Sequence, residues 1–159
     1  MDNRVTLVSE SIETTKQIAE CIARHARPGS VIALRGDLGA GKTCFVQGLA
    51  RVFAREEDVH SPTFTIINEY GDGPALYHID LYRLDDEEAI RDLTLEDVFD
   101  SDAIVAIEWA ERAEALLPAK RIDIGLDHEG SGRAITIEDH GVLEDGWREI
   151  RRQIDKNIS

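Results

Sequence analysis

The stretch Gly36-Asp37-Leu38-Gly39-Ala40-Gly41-Lys42-Thr43 fits the pattern G-x-x-x-x-G-K-[ST], the Walker A phosphate cradle. Each residue type has a task. The glycines let the backbone turn tightly around a phosphate chain. The amides from Gly39 to Thr43 then point inward, and the start of the following helix adds positive potential. Lys42 is placed to reach the β- and γ-phosphates, and the Thr43 hydroxyl to ligate Mg²⁺. Cys44 directly follows the cradle, where it either packs in the helix or is open to oxidation.

Such a loop needs an acidic partner for the cation, at the carboxyl end of a neighbouring strand. Two residues qualify. Glu108 ends the apolar run Ala103-Ile104-Val105-Ala106-Ile107, which suits a buried parallel strand aimed at the cradle. Asp80 lies on another strand, whose alternation places His78, Asp80 and Tyr82 on one face and Tyr77, Ile79 and Leu81 on the other. The apolar set is expected to pack and the polar set to face a cleft. Glu108 is the expected metal ligand together with Thr43, and Asp80 a second ligand or the group that positions water. His78 has no further His or Cys at zinc-ligand spacing, so an orienting hydrogen bond or plain packing is expected of it. In Ser61-Pro62-Thr63-Phe64, the Thr63 hydroxyl either senses the γ-phosphate as a switch or caps a strand, and the spacing alone does not choose.

Elements that could position these residues are legible in the pattern. Val31 to Leu34 reads as a buried strand, and Phe45, Val46, Leu49, Val52 and Phe53 follow helical spacing, giving strand, glycine loop, helix. Upstream, Val5 to Val8 reads as a strand and Ser11 to His25 as a helix ended by Pro28-Gly29. Phe64 to Tyr70 and Ala75 to Tyr82 form a hairpin across Gly71-Asp72-Gly73-Pro74. Acidic helices occupy Asp85 to Leu93 and Leu95 to Asp100, and a helix from Ala110 stops at Pro118. Ile122 to Leu126 and Ile135 to Ile137 alternate about a turn at Asp127 to Gly132, and Leu143, Trp147, Ile150 and Ile154 mark a last amphipathic helix. The reading is α/β, a P-loop NTPase with a mostly parallel central sheet, flanking helices and antiparallel hairpin additions, in a single domain over residues 1–159.

Composition narrows the function classes. Eighteen basic against 32 acidic residues leave a net charge of −14, so the surface repels nucleic acid at a distance and any service to RNA goes through a partner. The acidic stretch Asp85 to Asp102, with Arg91 as its one basic residue, reads as a solvated face in preference to a docking patch for a basic partner. No run approaches a membrane span, the N-terminus lacks a signal-peptide pattern, and Cys21 and Cys44 have no metal spacing, which together predict a cytoplasmic protein.

Four motifs in order extend the reading beyond the cradle. Gly36 to Thr43, Ser61-Pro62-Thr63-Phe64-Thr65, His78-Ile79-Asp80-Leu81-Tyr82-Arg83-Leu84 and Ile107-Glu108-Trp109-Ala110-Glu111-Arg112 together closely resemble the bacterial TsaE (YjeE) family over nearly the whole chain. Thr15-x-x-Ile18-Ala19 resembles the family's start, and Gly132-Arg133 a late basic position. The resemblance implies an ATPase needed to form threonylcarbamoyladenosine beside the tRNA anticodon. It would act with TsaB and TsaD, TsaD carrying the transferase chemistry, and hydrolyse ATP to reset their complex. It further implies Thr43 and Glu108 on Mg²⁺, Asp80 in hydrolysis, Ser61 and Thr63 in a switch, and Trp109 beside the site or a partner surface. Thr15 and Arg133 would meet the base or ribose, though Arg133 reads equally as an exposed hairpin arginine. Thr94 stands near where the family usually has glycine, and Ala110 where proline is common.

Two other functions share the cradle. A small-molecule kinase needs lid arginines, and only Arg83 and Arg91 lie near the acidic region, which counts against it. A nucleotide-gated binding module would use the same metal site. Guanine specificity is disfavoured by the lack of an Asn-Lys-x-Asp motif. No arginine finger can be assigned from the sequence.

Overall fold

A computed structural model describes residues 3–60, 66–72, 75–84, 86–143 and 146–158. Its frame is one seven-stranded sheet in the order β1-β7-β6-β2-β5-β4-β3. The strands are β1 (Arg4–Ser9), β2 (Val31–Arg35), β3 (Ile67–Tyr70), β4 (Leu76–Asp80), β5 (Ile104–Glu108), β6 (Ile122–Glu129) and β7 (Gly132–Asp139). The helices are α1 (Ile12–His25), α2 (Lys42–Phe53), α3 (Glu87–Arg91), α4 (Leu95–Phe99) and α5 (Gly146–Ile158), with 3-10 segments at Glu56–Asp58 and Ala110–Leu116.

The centre of the sheet follows the expected logic. β2 and β5 are apolar runs buried on both faces, as parallel strands between helical layers require. One face packs Ile32, Leu34, Ile122 and Ile124 against Ile18 and Ile22 of α1, Phe45 and Leu49 of α2, and Trp147, Ile150 and Ile154 of α5. The opposite face packs Val31, Ala33, Val105 and Ile107 against Ile90, Leu95 and Ala113. α1 begins where its sequence signals it should. Ser11 is the N-cap, and its hydroxyl accepts the Thr14 amide at 3.0 Å.

The sheet is mixed, not mostly parallel. β4, β5, β2 and β6 pair in parallel, while β1 with β7, β6 with β7, and β3 with β4 are antiparallel. The reason lies in the β6–β7 hairpin, which turns the chain straight back and offers its outer strand to β1. Its strands outrun the apolar alternation. Asp127, His128 and Glu129 pair with Ala134, Arg133 and Gly132, because backbone pairing in an exposed hairpin continues without apolar side chains.

Three local expectations also change. The segment after Trp109 is 3-10, and Ala113 departs from helical geometry at φ −121°, ψ 24°. Leu143 lies in the turn before α5, where the Asp139 carboxylate accepts the amides of Val142 (3.0 Å) and Leu143 (3.1 Å). His78 does not face an open cleft, because it is fully buried.

Thr94, between α3 and α4, adopts φ 50°, ψ 52°. This left-handed conformation is strained for a β-branched residue and free of strain for glycine. Thr94→Gly is expected to raise stability by about 1 kcal/mol, a Tm gain of roughly 2–4 °C readable by thermal denaturation. Among the described residues, no helix is long and apolar enough to cross a membrane.

Candidate functional site

Strand register assembles the site. In the parallel core, Leu34 pairs with Glu108 and Asp80 pairs with Glu108. The carboxyl ends of β2, β5 and β4 therefore deliver the glycine loop, Glu108 and Asp80 to one edge of the sheet. The loop then leaves β2 at Gly36, where φ is +150° and an added Cβ would sit 2.4 Å from the Leu126 carbonyl oxygen. Only glycine allows this passage beside β6.

The first turn of α2 brings the functional side chains together. The Thr43 hydroxyl lies 3.2 Å and 3.0 Å from Oε1 and Oε2 of Glu108. Glu108 is 4% exposed, and its Oε2 also meets Nε2 of His78 at 2.5 Å. Lys42 is 5% exposed; its Nζ donates to the Gly36 carbonyl and, at 3.1 Å, to that of Asp37. The same ammonium lies 3.9 Å above the Trp109 ring, a cation–π contact. Burial lowers the Lys42 pKa, opposed by the charges of Glu108, Glu111, Asp80 and Asp37. Burial pushes the Asp80 carboxyl above its ordinary value; the Tyr82 amide, 3.0 Å from Oδ1, opposes this and the Glu108 charge adds to it. Asp80, Glu108, Lys42, Thr43 and exposed Leu38 share a cavity of about 240 Å³ with Trp109.

A second cavity, of about 310 Å³, meets the first at Gly41 and Cys44 and is lined by Ser9, Thr15 and Arg133. Thr15 is buried, and its hydroxyl is 2.7 Å from that of Ser9. Arg133 is not a free hairpin arginine, since Nε donates to the Ala40 carbonyl at 3.0 Å and Nη2 to that of Gly39 at 3.2 Å. It braces the glycine loop from β7. Burial pushes the Cys44 thiol pKa up, away from the reactive thiolate. Of the residues singled out by spacing, Lys42, Thr43, Asp80 and Glu108 converge with Cys44 beside them, and Thr15 and Arg133, which the resemblance implied, gather in the adjoining cavity. Ser61 and Thr63 lie outside the described residues.

Spacing did not reveal Arg112. Its Nη1 donates to the carbonyls of Tyr82 (2.6 Å), Leu84 (3.2 Å) and Leu81 (3.4 Å), with the guanidinium 5.5 Å from the Trp109 ring. It thus ties the turn after Asp80 to the segment after Glu108. Trp109 itself is held at φ 59°, ψ 42°. Backbone strain at a functional edge is stored where the surroundings enforce it.

Comparison with known proteins identifies the family. Residues 9–135 match the family model described as threonylcarbamoyl adenosine biosynthesis protein TsaE. The tRNA threonylcarbamoyladenosine biosynthesis protein TsaE of Bacillus subtilis (strain 168) is 46% identical over 127 residues, covering 79% of each chain. Its namesake in Treponema pallidum (strain Nichols) is 37% identical over 143 residues, 90% of this chain and 96% of its own. The crystal structure of Bacillus subtilis YdiB superposes with a TM-score of 0.76 at 33% identity, covering 100% of this chain and 99% of that one. With the family model spanning most of the chain and relatives alike over most of their own length, the chain belongs to the TsaE family of tRNA threonylcarbamoyladenosine biosynthesis proteins.

Proposed function

We propose that this protein is a magnesium-dependent P-loop ATPase of the cytoplasm that works with TsaB and TsaD in forming threonylcarbamoyladenosine in tRNA, hydrolysing ATP to reset their complex between turnovers. The observation that carries the reading is the meeting of the Thr43 hydroxyl with buried Glu108 at the mouth of the glycine loop. A carboxylate is kept in so dry a place only when it has a charged or hydrogen-bonding task.

The donor set suits Mg²⁺. Glu108 and Thr43 offer hard oxygens, and Asp80 stands on the adjacent strand. Among the described residues no group of three or more His, Cys, Asp or Glu could hold an ion alone. Mg²⁺ is commonly held by one or two carboxylates plus substrate phosphates. When bound, the ion would neutralise charge on the β- and γ-phosphates. Lys42 would exchange its loop carbonyls for phosphate oxygens, and the loop amides would cradle the chain. Asp80, paired with Glu108 and lining the same cavity, would orient the attacking water. Arg133 would keep the loop in shape, and the cavity beside Thr15 and Arg133 would take the nucleoside. The net charge of −14 fits a protein that meets tRNA only through its partners.

The test is ATP turnover by the protein alone and with purified TsaB and TsaD. Arg112 and Arg133, the arginines that brace the loop and the turn after Asp80, are both engaged by carbonyls. A stimulation of at least about tenfold in the complex is therefore expected, from a cation supplied in trans. Tight Mg-ATP binding with unchanged turnover would contradict the reading and identify a nucleotide-gated binding module. Transfer of phosphate to a small molecule would identify a kinase.

A further inference from the structure

One buried group beneath the site has no role in the mechanism above. His78, two residues before Asp80 on β4, is fully buried. Its Nε2 meets Glu108 Oε2 at 2.5 Å, while Nδ1 is the buried side-chain polar atom that lacks a hydrogen-bond partner among the described residues. Leaving such an atom unpaired costs about 1–3 kcal/mol, so packing alone would favour an apolar side chain here. The arrangement assigns the ring's proton. A carboxylate only accepts, so Nε2 must donate. Among the described residues Nδ1 has no partner to donate to, so the proton is assigned to Nε2.

The two oxygens of Glu108 are thereby made unequal. Oε2 accepts both the imidazole N–H and, at 3.0 Å, the Thr43 hydroxyl, whereas among the described residues Oε1 has the Thr43 hydroxyl as its one partner, at 3.2 Å. A terminal carboxylate torsion is otherwise broad. A ring with one N–H orients the carboxylate without cancelling its charge, which a lysine or arginine in this place would do.

We propose that His78 is a positioning residue for cation binding: its Nε2–H holds Oε2 of Glu108, leaving Oε1 and the Thr43 hydroxyl as the pair available to the nucleotide's divalent ion. This rests on the reading of Thr43 and Glu108 as the metal-holding pair. The mechanism needs the N–H at the distance of Nε2, which a glutamine amide can reproduce and an asparagine amide cannot.

The experiment is calorimetric titration of wild type, His78→Gln and His78→Asn with a non-hydrolysable ATP analogue, in magnesium and in EDTA. The affinity gained from magnesium should fall about 10–100-fold in His78→Asn and be largely kept in His78→Gln. Affinity in EDTA should be the same in all three, because the cradle is untouched. An unchanged magnesium gain in His78→Asn, or an equal loss in EDTA, overturns the proposal. Wild type binding equally in both buffers would instead overturn the metal reading beneath it, and this is seen before any variant is made. A long-range proton–nitrogen correlation spectrum of the wild-type imidazole needs no variant: a proton on Nε2 is expected, and a proton on Nδ1 overturns the assignment.

Discussion

Replacing Glu108 with glutamine is expected to lower magnesium-dependent ATP turnover by about 10²–10³-fold while leaving the fold intact. Glutamine keeps the volume, and its amide can still accept from His78 Nε2 and face the Thr43 hydroxyl. What disappears is the negative charge. Losing it from a 4% exposed site removes a desolvation cost, so the melting temperature should hold or rise. The loss of rate therefore cannot be assigned to unfolding. Lys42→Ala should lower turnover by a similar factor but with a different signature. Its Nζ is bonded to the Gly36 and Asp37 carbonyls and lies on the Trp109 ring, so truncation also frees two acceptors and lowers stability. Phosphate release and thermal denaturation, measured on both variants, separate the two effects. Equal turnover in Glu108→Gln and wild type would remove Glu108 from the chemistry.

Gly48→Leu is expected to destabilise the protein by about 3 kcal/mol, a Tm loss of roughly 6–12 °C by thermal denaturation. Helix propensity alone points the other way, since leucine in a helix interior is favoured over glycine by nearly 1 kcal/mol. Packing decides against it. A Cβ at Gly48 would lie 2.5 Å from the Lys16 carbonyl oxygen and 2.7 Å from both Lys16 Cα and Ala19 Cβ. Two of these are backbone atoms of α1, which cannot swing aside, so the helices must part. Ile18 and Ile22 on α1 and Phe45 and Leu49 on α2 all belong to that core. Because α2 begins with Lys42 and Thr43, nucleotide affinity should weaken along with stability. A stabilised Gly48→Leu would mean that α1 and α2 do not cross this closely.

The parts of the fold legible in the sequence are those that local chemistry dictates. Val31 to Leu34 and Ala103 to Ile107 read as buried strands because a parallel strand covered on both faces must be apolar throughout. Glu108 stood out because it breaks such a run. The pairing that sets Asp80 and Leu34 opposite Glu108 joins distant segments, and no local pattern encodes it. The same holds for the antiparallel half of the sheet, where alternation marked the strands near Ile124 and Ile135 but not their neighbours. Arg112 and Arg133 were present in recognised motifs, yet long basic side chains seek whichever carbonyls the finished fold leaves open. Thr94 was legible as a departure from glycine, and the left-handed backbone there shows what the departure costs.

The most direct test of the central claim is a crystal structure of the protein with magnesium and a non-hydrolysable ATP analogue. The β- and γ-phosphates are expected in the loop from Gly36 to Thr43, with Lys42 turned from its loop carbonyls to the phosphates and the ion held by Thr43 and Glu108. A nucleotide seated elsewhere, or an ion bound without Glu108, would contradict it.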